Sequence, residues 1–190
     1  MRPILLSSLR QSAFVAAIVV ASGVVWLAGW EVAQSILDFT VLKSGVTLVY
    51  IPAGIRLLVL LVSGIWGAFG IALAFPLALI QVFPDVTWLE VIVYSAIAGL
   101  VPYATVQVTC RATGISRDLG TLRAIHLPLL AAAVSITGAM AYAMALVAFD
   151  RFDIANFLPD VTAMAAGDFL GCFAVVALAR LAIALRGGHR

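Results

Sequence analysis

Charge is what this sequence has least of. Only 11% of its 190 residues are Asp, Glu, Lys or Arg, against 64% hydrophobic residues and a mean hydropathy of +1.17. A soluble domain is about 25% charged. No aqueous fold of this size hides so much apolar surface, so the expected class is a polytopic membrane protein with no soluble domain. The net charge of +2, with no dense basic tract, excludes nucleic acid as a partner. No Gly-Lys-Ser or Gly-Lys-Thr occurs, which excludes the phosphate-cradling loop of an ATPase. There are two histidines, His126 and His189. Both fall at helix ends, where neither suits an intramembrane haem or metal. Ser63, Ser95 and Ser135 have no base nearby in the sequence to activate them. No enzyme, cofactor or metal is therefore expected. The two cysteines, Cys110 and Cys172, fall at a cytoplasmic helix end and inside a helix, so they read as unpaired, buried spectators. Internal repeats and low-complexity linkers are also missing, and residues 1–190 read as one transmembrane domain.

What is present is a series of apolar runs. Arg2 and Arg10 before the first run resemble a signal peptide, but the run from Ser12 to Trp30 exceeds an apolar signal core of about 7–15 residues. It reads as a retained helix of the roughly 20 residues a bilayer needs, with Trp26 and Trp30 anchoring its outer end. Ala13, Ala17 and Ala21 form one small-residue stripe on it. Such a stripe serves either internal packing or the docking of a partner protein. Residues 31–47 read as an outer loop. A second helix follows from Thr47 to Ser63, with Pro52 near its start, and a third from Trp66 to Val82 after a tight turn at Ser63-Gly64-Ile65, kinked at Pro76. Leu89–Val108, Leu127–Phe149 and Thr162–Leu185 complete six helices.

Charge asymmetry orients them. With the N-terminus inside, Arg2, Arg10, Arg111, Arg117, Arg123, Arg180, Arg186 and Arg190 are inner, while only Lys43 and Arg151 are outer. Seven acids (Glu31, Asp38, Asp85, Glu90, Asp150, Asp153 and Asp160) fall outside. The positive-inside rule then predicts an all-α bundle of six transmembrane helices with both termini cytoplasmic, and the expected location is an inner (cytoplasmic) membrane, bacterial if the resemblance below holds.

Two ionisable residues break the apolar runs. Arg56 follows Tyr50-Ile51-Pro52-Ala53-Gly54-Ile55, and Asp168 lies in Gly167-Asp168-Phe169-Leu170-Gly171. An ionisable side chain within the membrane costs at least about 2.5 kcal/mol and marks a functional site by default. Counted from the helix starts, both sit roughly 7–9 Å deep in the outer half, so pairing is expected. The pair is either a buried bridge that sets the register of two helices or the floor of an outward-facing pocket. In the second case Arg56 would act as a bidentate donor to a small anionic or zwitterionic ligand. Pro52, Gly54, Gly167 and Gly171 would supply pocket backbone, the glycines leaving room beside them. Tyr50, Tyr94, Tyr103 and Trp88 would line the walls, and helices two, four and six would form them.

The Tyr50–Leu58 run with Pro52-Ala53-Gly54, then Gly64 and Gly67-Ala68-Phe69-Gly70, resembles the Pro-Ala-Gly segment of the bacterial membrane-associated sensor domain of the first type. Gly167-Asp168-Phe169-Leu170-Gly171 is similar to the Gly-Asp-x-x-Gly of that family's late helix. The resemblance implies a helical membrane domain, usually joined to a histidine kinase or a cyclic-dinucleotide enzyme. This chain departs from that pattern: it ends after helix six without an output domain, and it carries Arg56 where a neutral residue is expected. It would then act through a separate cytoplasmic or membrane protein. A second resemblance is to the substrate-binding components of energy-coupling-factor vitamin transporters, whose docking surface the Ala13, Ala17, Ala21 stripe is similar to. The expectations are thus a stand-alone sensor-like or partner-binding module first, a solute-binding transporter component second, and a purely structural assembly factor third.

Overall fold

The computed structural model describes the backbone of residues 2–37, 49–116, 121 and 125–187, and side chains over 10–36, 49–116, 121 and 125–178. The expected helix start at Thr47 and the charges Asp38, Lys43, Arg117, Asp118, Arg123, His189 and Arg190 lie outside these residues, and the Arg180 and Arg186 side chains do too. Every regular element described is helical: α1 (Arg2–Leu37), α2 (Ile51–Val82), α3 (Trp88–Ala112), α4 (His126–Ala148) and α5 (Phe157–Gly187), with one short 3-10 turn at Ile154–Asn156. Five helices are long and apolar enough to cross a membrane, which makes this a helical, multi-pass membrane protein by length and composition.

α1 exceeds the expected Ser12–Trp30 at both ends. Pro3 sits in the first turn, where its missing N–H costs nothing, and no other breaker follows. At the far end the Ser35 hydroxyl donates to the Glu31 carbonyl at 2.8 Å, the Gln81 amide donates to Glu31 at 2.9 Å, and Ala33 is buried. Residues 31–37 are therefore packed helix rather than the start of a loop.

α2 is broken once. Gly64 has φ 56° and ψ −133°, a conformation essentially closed to residues with a Cβ. Both ends of this 32-residue element meet the same turn of α1. The Tyr50 ring lies 6.0 Å from Trp30, and Gln81 bonds Glu31. A straight helix of that length would hold its ends about 48 Å apart, so the element doubles back at Gly64. The Val59 and Gly67 backbones lie side by side there. Pro76 sits inside the second arm, which keeps helical dihedrals throughout.

α1 packs through Gly23 rather than through the expected alanine stripe. A Cβ on Gly23 would fall 2.7 Å from the Gly70 carbonyl oxygen, so the two backbones touch. Ala13, Ala17 and Ala21 are exposed, which removes internal packing as their role. One apolar cluster joins Trp26, Leu60, Ile71, Phe75, Leu79, Tyr94 and Leu146, and a second joins Ala53, Leu57, Val106, Leu130, Val134 and Cys172. Glu31, Gln81, Asp85, Glu90 and Arg151 gather at one end of the bundle, called here the acidic end.

Candidate functional site

The first arm of α2 begins beside α5. The Tyr50 N–H donates to the Gly167 carbonyl at 3.0 Å, a backbone bond between two helices. Such an approach requires that no side chain intervene. A Cβ on Gly54 would stand 2.6 Å from the Gly171 carbonyl oxygen, and one on Gly171 would strike the Tyr50 carbonyl. The expectation that these glycines leave pocket space is corrected: the neighbouring helix's backbone fills that space. Pro52 is buried in the first turn of the same arm.

This contact carries Arg56 to Asp168. Arg56 Nη2 donates to Asp168 Oδ2 at 2.8 Å, and the side chains are 9% and 14% exposed. The Tyr50 hydroxyl stands within electrostatic reach of both. A neighbour that was not expected is α4: a Cβ on Gly138 would lie 3.8 Å from Arg56 Nη2. Cys172, one turn beyond Asp168, is fully buried beside Ser135 on α4, and both cysteines are free thiols. The arrangement is under-supplied with hydrogen-bond partners. Arg56 Nε is buried without one among the described residues. A guanidinium carries five donors in a planar fork, and a ligand oxygen or ordered water at Nε would complete this one.

The expected wall residues separate. Tyr50 touches the site. Tyr94 is fully buried and packs against Tyr142 and Phe149, with ring centroids at 5.2 and 5.7 Å. Tyr103 packs on the same apolar cluster as Tyr94. Trp88 is 85% exposed at the start of α3, so it is an interface residue and not a wall.

Sequence reading missed a second polar centre at the acidic end. Arg151 Nη1 donates to both oxygens of Asp85 at 2.9 and 2.8 Å, while its Nε and Nη2 donate to Glu90 at 2.7 and 3.2 Å. Its guanidinium also lies 5.5 Å from the centre of the Phe83 ring. The bonds to Glu90, then those to Asp85, push the Arg151 pKa above its ordinary value, so it stays cationic. Glu90 in turn closes a capping box with Thr87 at the start of α3. The signals were present as Thr87-Trp88-Leu89-Glu90 and as one arginine among outer acids. Beside this network lies a cleft of about 460 Å³ lined by Thr87, Glu90, Ala148, Phe149, Asp150 and Arg151.

Fold and site together define a helical multi-pass membrane protein with an ion pair held between three of its helices. No family model, no curated protein and no solved structure matches the chain.

Proposed function

We propose that this protein is a membrane-embedded, sensor-like module that binds a small polar ligand at Arg56–Asp168 and acts through a separate protein. In this reading the doubled-back α2 contributes two crossings, the bundle crosses a bacterial inner membrane six times, the acidic end faces outward and both termini are cytoplasmic. The observation that carries it is the incomplete coordination of Arg56. A purely structural bridge gains most when every donor is satisfied, because burying an unpartnered charged donor costs more than a made bond returns. An Nε–H left open inside the bundle suits a carboxylate or another oxygen acceptor. The pair is net neutral, so a small zwitterion would add no uncompensated charge, whereas a simple anion would. The resemblance to the sensor domain of the first type adds the expectation of a partner that reads the bound state.

The test is thermal stability of the detergent-solubilised protein across a panel of amino acids, small carboxylates, inorganic anions and vitamins. A ligand at 100 times its Kd stabilises by about 2.7 kcal/mol, so a binder raises Tm progressively with concentration. Arg56→Lys keeps the charge and loses the planar fork, and should abolish that rise while changing the unliganded Tm little. A wild type that nothing in the panel stabilises, beside a lysine variant that is merely less stable, would leave only the structural bridge.

A second reading, a solute-binding transporter component, draws on the exposed Ala13, Ala17 and Ala21 face of α1. Ala17→Leu would block close helix docking there. Co-purification of an ATPase and a coupling protein with the wild type, lost in Ala17→Leu, would select transport over sensing.

A further inference from the structure

Three observations converge on the space between the acidic-end cleft and the Arg56–Asp168 pair. The first is one face of α4. Ser135, Tyr142 and Phe149 recur every seven residues with Gly138 between them, so a single stripe runs from the depth of Arg56 to the cleft wall. The second is a series of ring contacts. Phe149, in the cleft wall, meets Tyr94, and Tyr94 meets Tyr142. Beyond Tyr142 the stripe meets the ion pair at Gly138, where a Cβ would lie 3.8 Å from Arg56 Nη2. The third is a pair of buried polar atoms without partners among the described residues, the Tyr94 hydroxyl and Arg56 Nε. Native interiors satisfy such groups with protein or ordered water, since an unmade bond forfeits the group's whole solvation. Of these two, one belongs to a ring that meets Phe149 of the cleft wall, the other to the ion pair.

We propose that the cleft is the mouth of an access path to Arg56–Asp168, and that Tyr94 and Tyr142 are the gate that closes it in this structure. The inference rests on the ligand-binding reading above and supplies its route. The cleft at the acidic end holds about 460 Å³, and Tyr94, which meets Phe149 of its wall, has no exposed surface. Rotation of the Tyr142 ring away from Tyr94 would join the cleft to the unpartnered donors.

Cys172, one turn past Asp168, is a native reporter for this path. In full-length protein carrying Cys110→Ser, it is the sole thiol. Intact cells are treated with a membrane-impermeant trimethylammonium methanethiosulfonate. The thiol forms a mixed disulfide with the reagent's sulfur and releases methanesulfinate and a proton, and mass spectrometry follows the rate. The parent should label slowly. Tyr142→Ala should label faster by about tenfold, the population change expected when one aromatic pair is lost. Leu79→Ala, which opens a hole in the same apolar cluster but removes neither ring of the gate, should label at the parent's rate. If Tyr142→Ala does not reach the membrane, Tyr94→Leu replaces it with the same expected gain. Gate variants no faster than Leu79→Ala would overturn the path. A parent labelled as fast as unfolded protein would overturn the gate. Neither result depends on any ligand, so the thermal-stability series decides the binding reading separately.

Discussion

At the residue scale, Arg56 and Asp168 are not interchangeable halves of one bridge. An unpaired carboxylate can take up a proton and become neutral, whereas a guanidinium cannot lose one. Asp168→Ala leaves a buried cation with no partner and should cost about 3–5 kcal/mol. Arg56→Leu should cost less, because Asp168 then protonates. The double variant Arg56→Leu, Asp168→Leu should recover much of the stability lost by Asp168→Ala. Detergent melting curves for the three variants check this order, and equal losses for the two single changes would contradict it. Composition made both residues conspicuous, because ionisable groups are rare in apolar runs. It did not make Ser135 or Gly138 conspicuous. A serine and a glycine in a membrane helix are ordinary, and only the seating of α4 against Arg56 gives them a role.

At the element scale, helix approach is set by where side chains are missing. Gly171→Ala would force a methyl group into the Tyr50 carbonyl. Backbone cannot yield as a side-chain tip does, so about 1–3 kcal/mol of overpacking is expected. The Tyr50–Gly167 bond should lengthen with it. Hydrogen exchange at the Tyr50 amide reads this directly, and unchanged protection would contradict the account. Gly64→Ala should be comparably harmful for a different reason. No neighbour crowds Gly64, but its φ of 56° with ψ −133° strains any residue bearing a Cβ by about 1–3 kcal/mol. The glycines were legible as a pattern. Their meaning was not, because a glycine in a pocket wall and one under a crossing helix look the same in sequence. Arg151 ties the α2–α3 turn to the α4–α5 loop through Asp85 and Glu90. Arg151→Ala should lower Tm more than Asp85→Ala, since Glu90 is buried and loses its only cationic partner among the described residues, whereas Asp85 is exposed.

At the scale of the whole molecule, the question is how many times the chain crosses. In the proposed arrangement a periplasm-dependent reporter fused after Arg190 is inactive and a cytoplasmic one active. A reporter inserted at Gly64 behaves as it does at Arg190, because the α2 turn then lies on the cytoplasmic side. Opposite behaviour at the two positions would return α2 to a single crossing. The charge bias alone could not separate these cases, since Gly64 has no charged neighbour for several residues on either side.

The sequence by itself determined the solvent, the helical class and the presence of two ionisable groups within apolar runs. Each of these follows from composition and period: apolar runs of bilayer length must satisfy their own backbone, and helices do so within one segment. It also carried the capping box at Thr87 and the turn at Gly64, which depend on residues close in the chain. The tertiary structure decided the rest. Which helix faces Arg56, which alanines face outward and which tyrosines touch one another are set by helix rotation about the axis. Hydropathy says little about rotation when every face is apolar. Close contacts such as those of Gly54 with Gly171, Gly23 with Gly70 and Gly99 with Ala68 fix such rotations, and the first of them sets the pairing of Arg56 with Asp168.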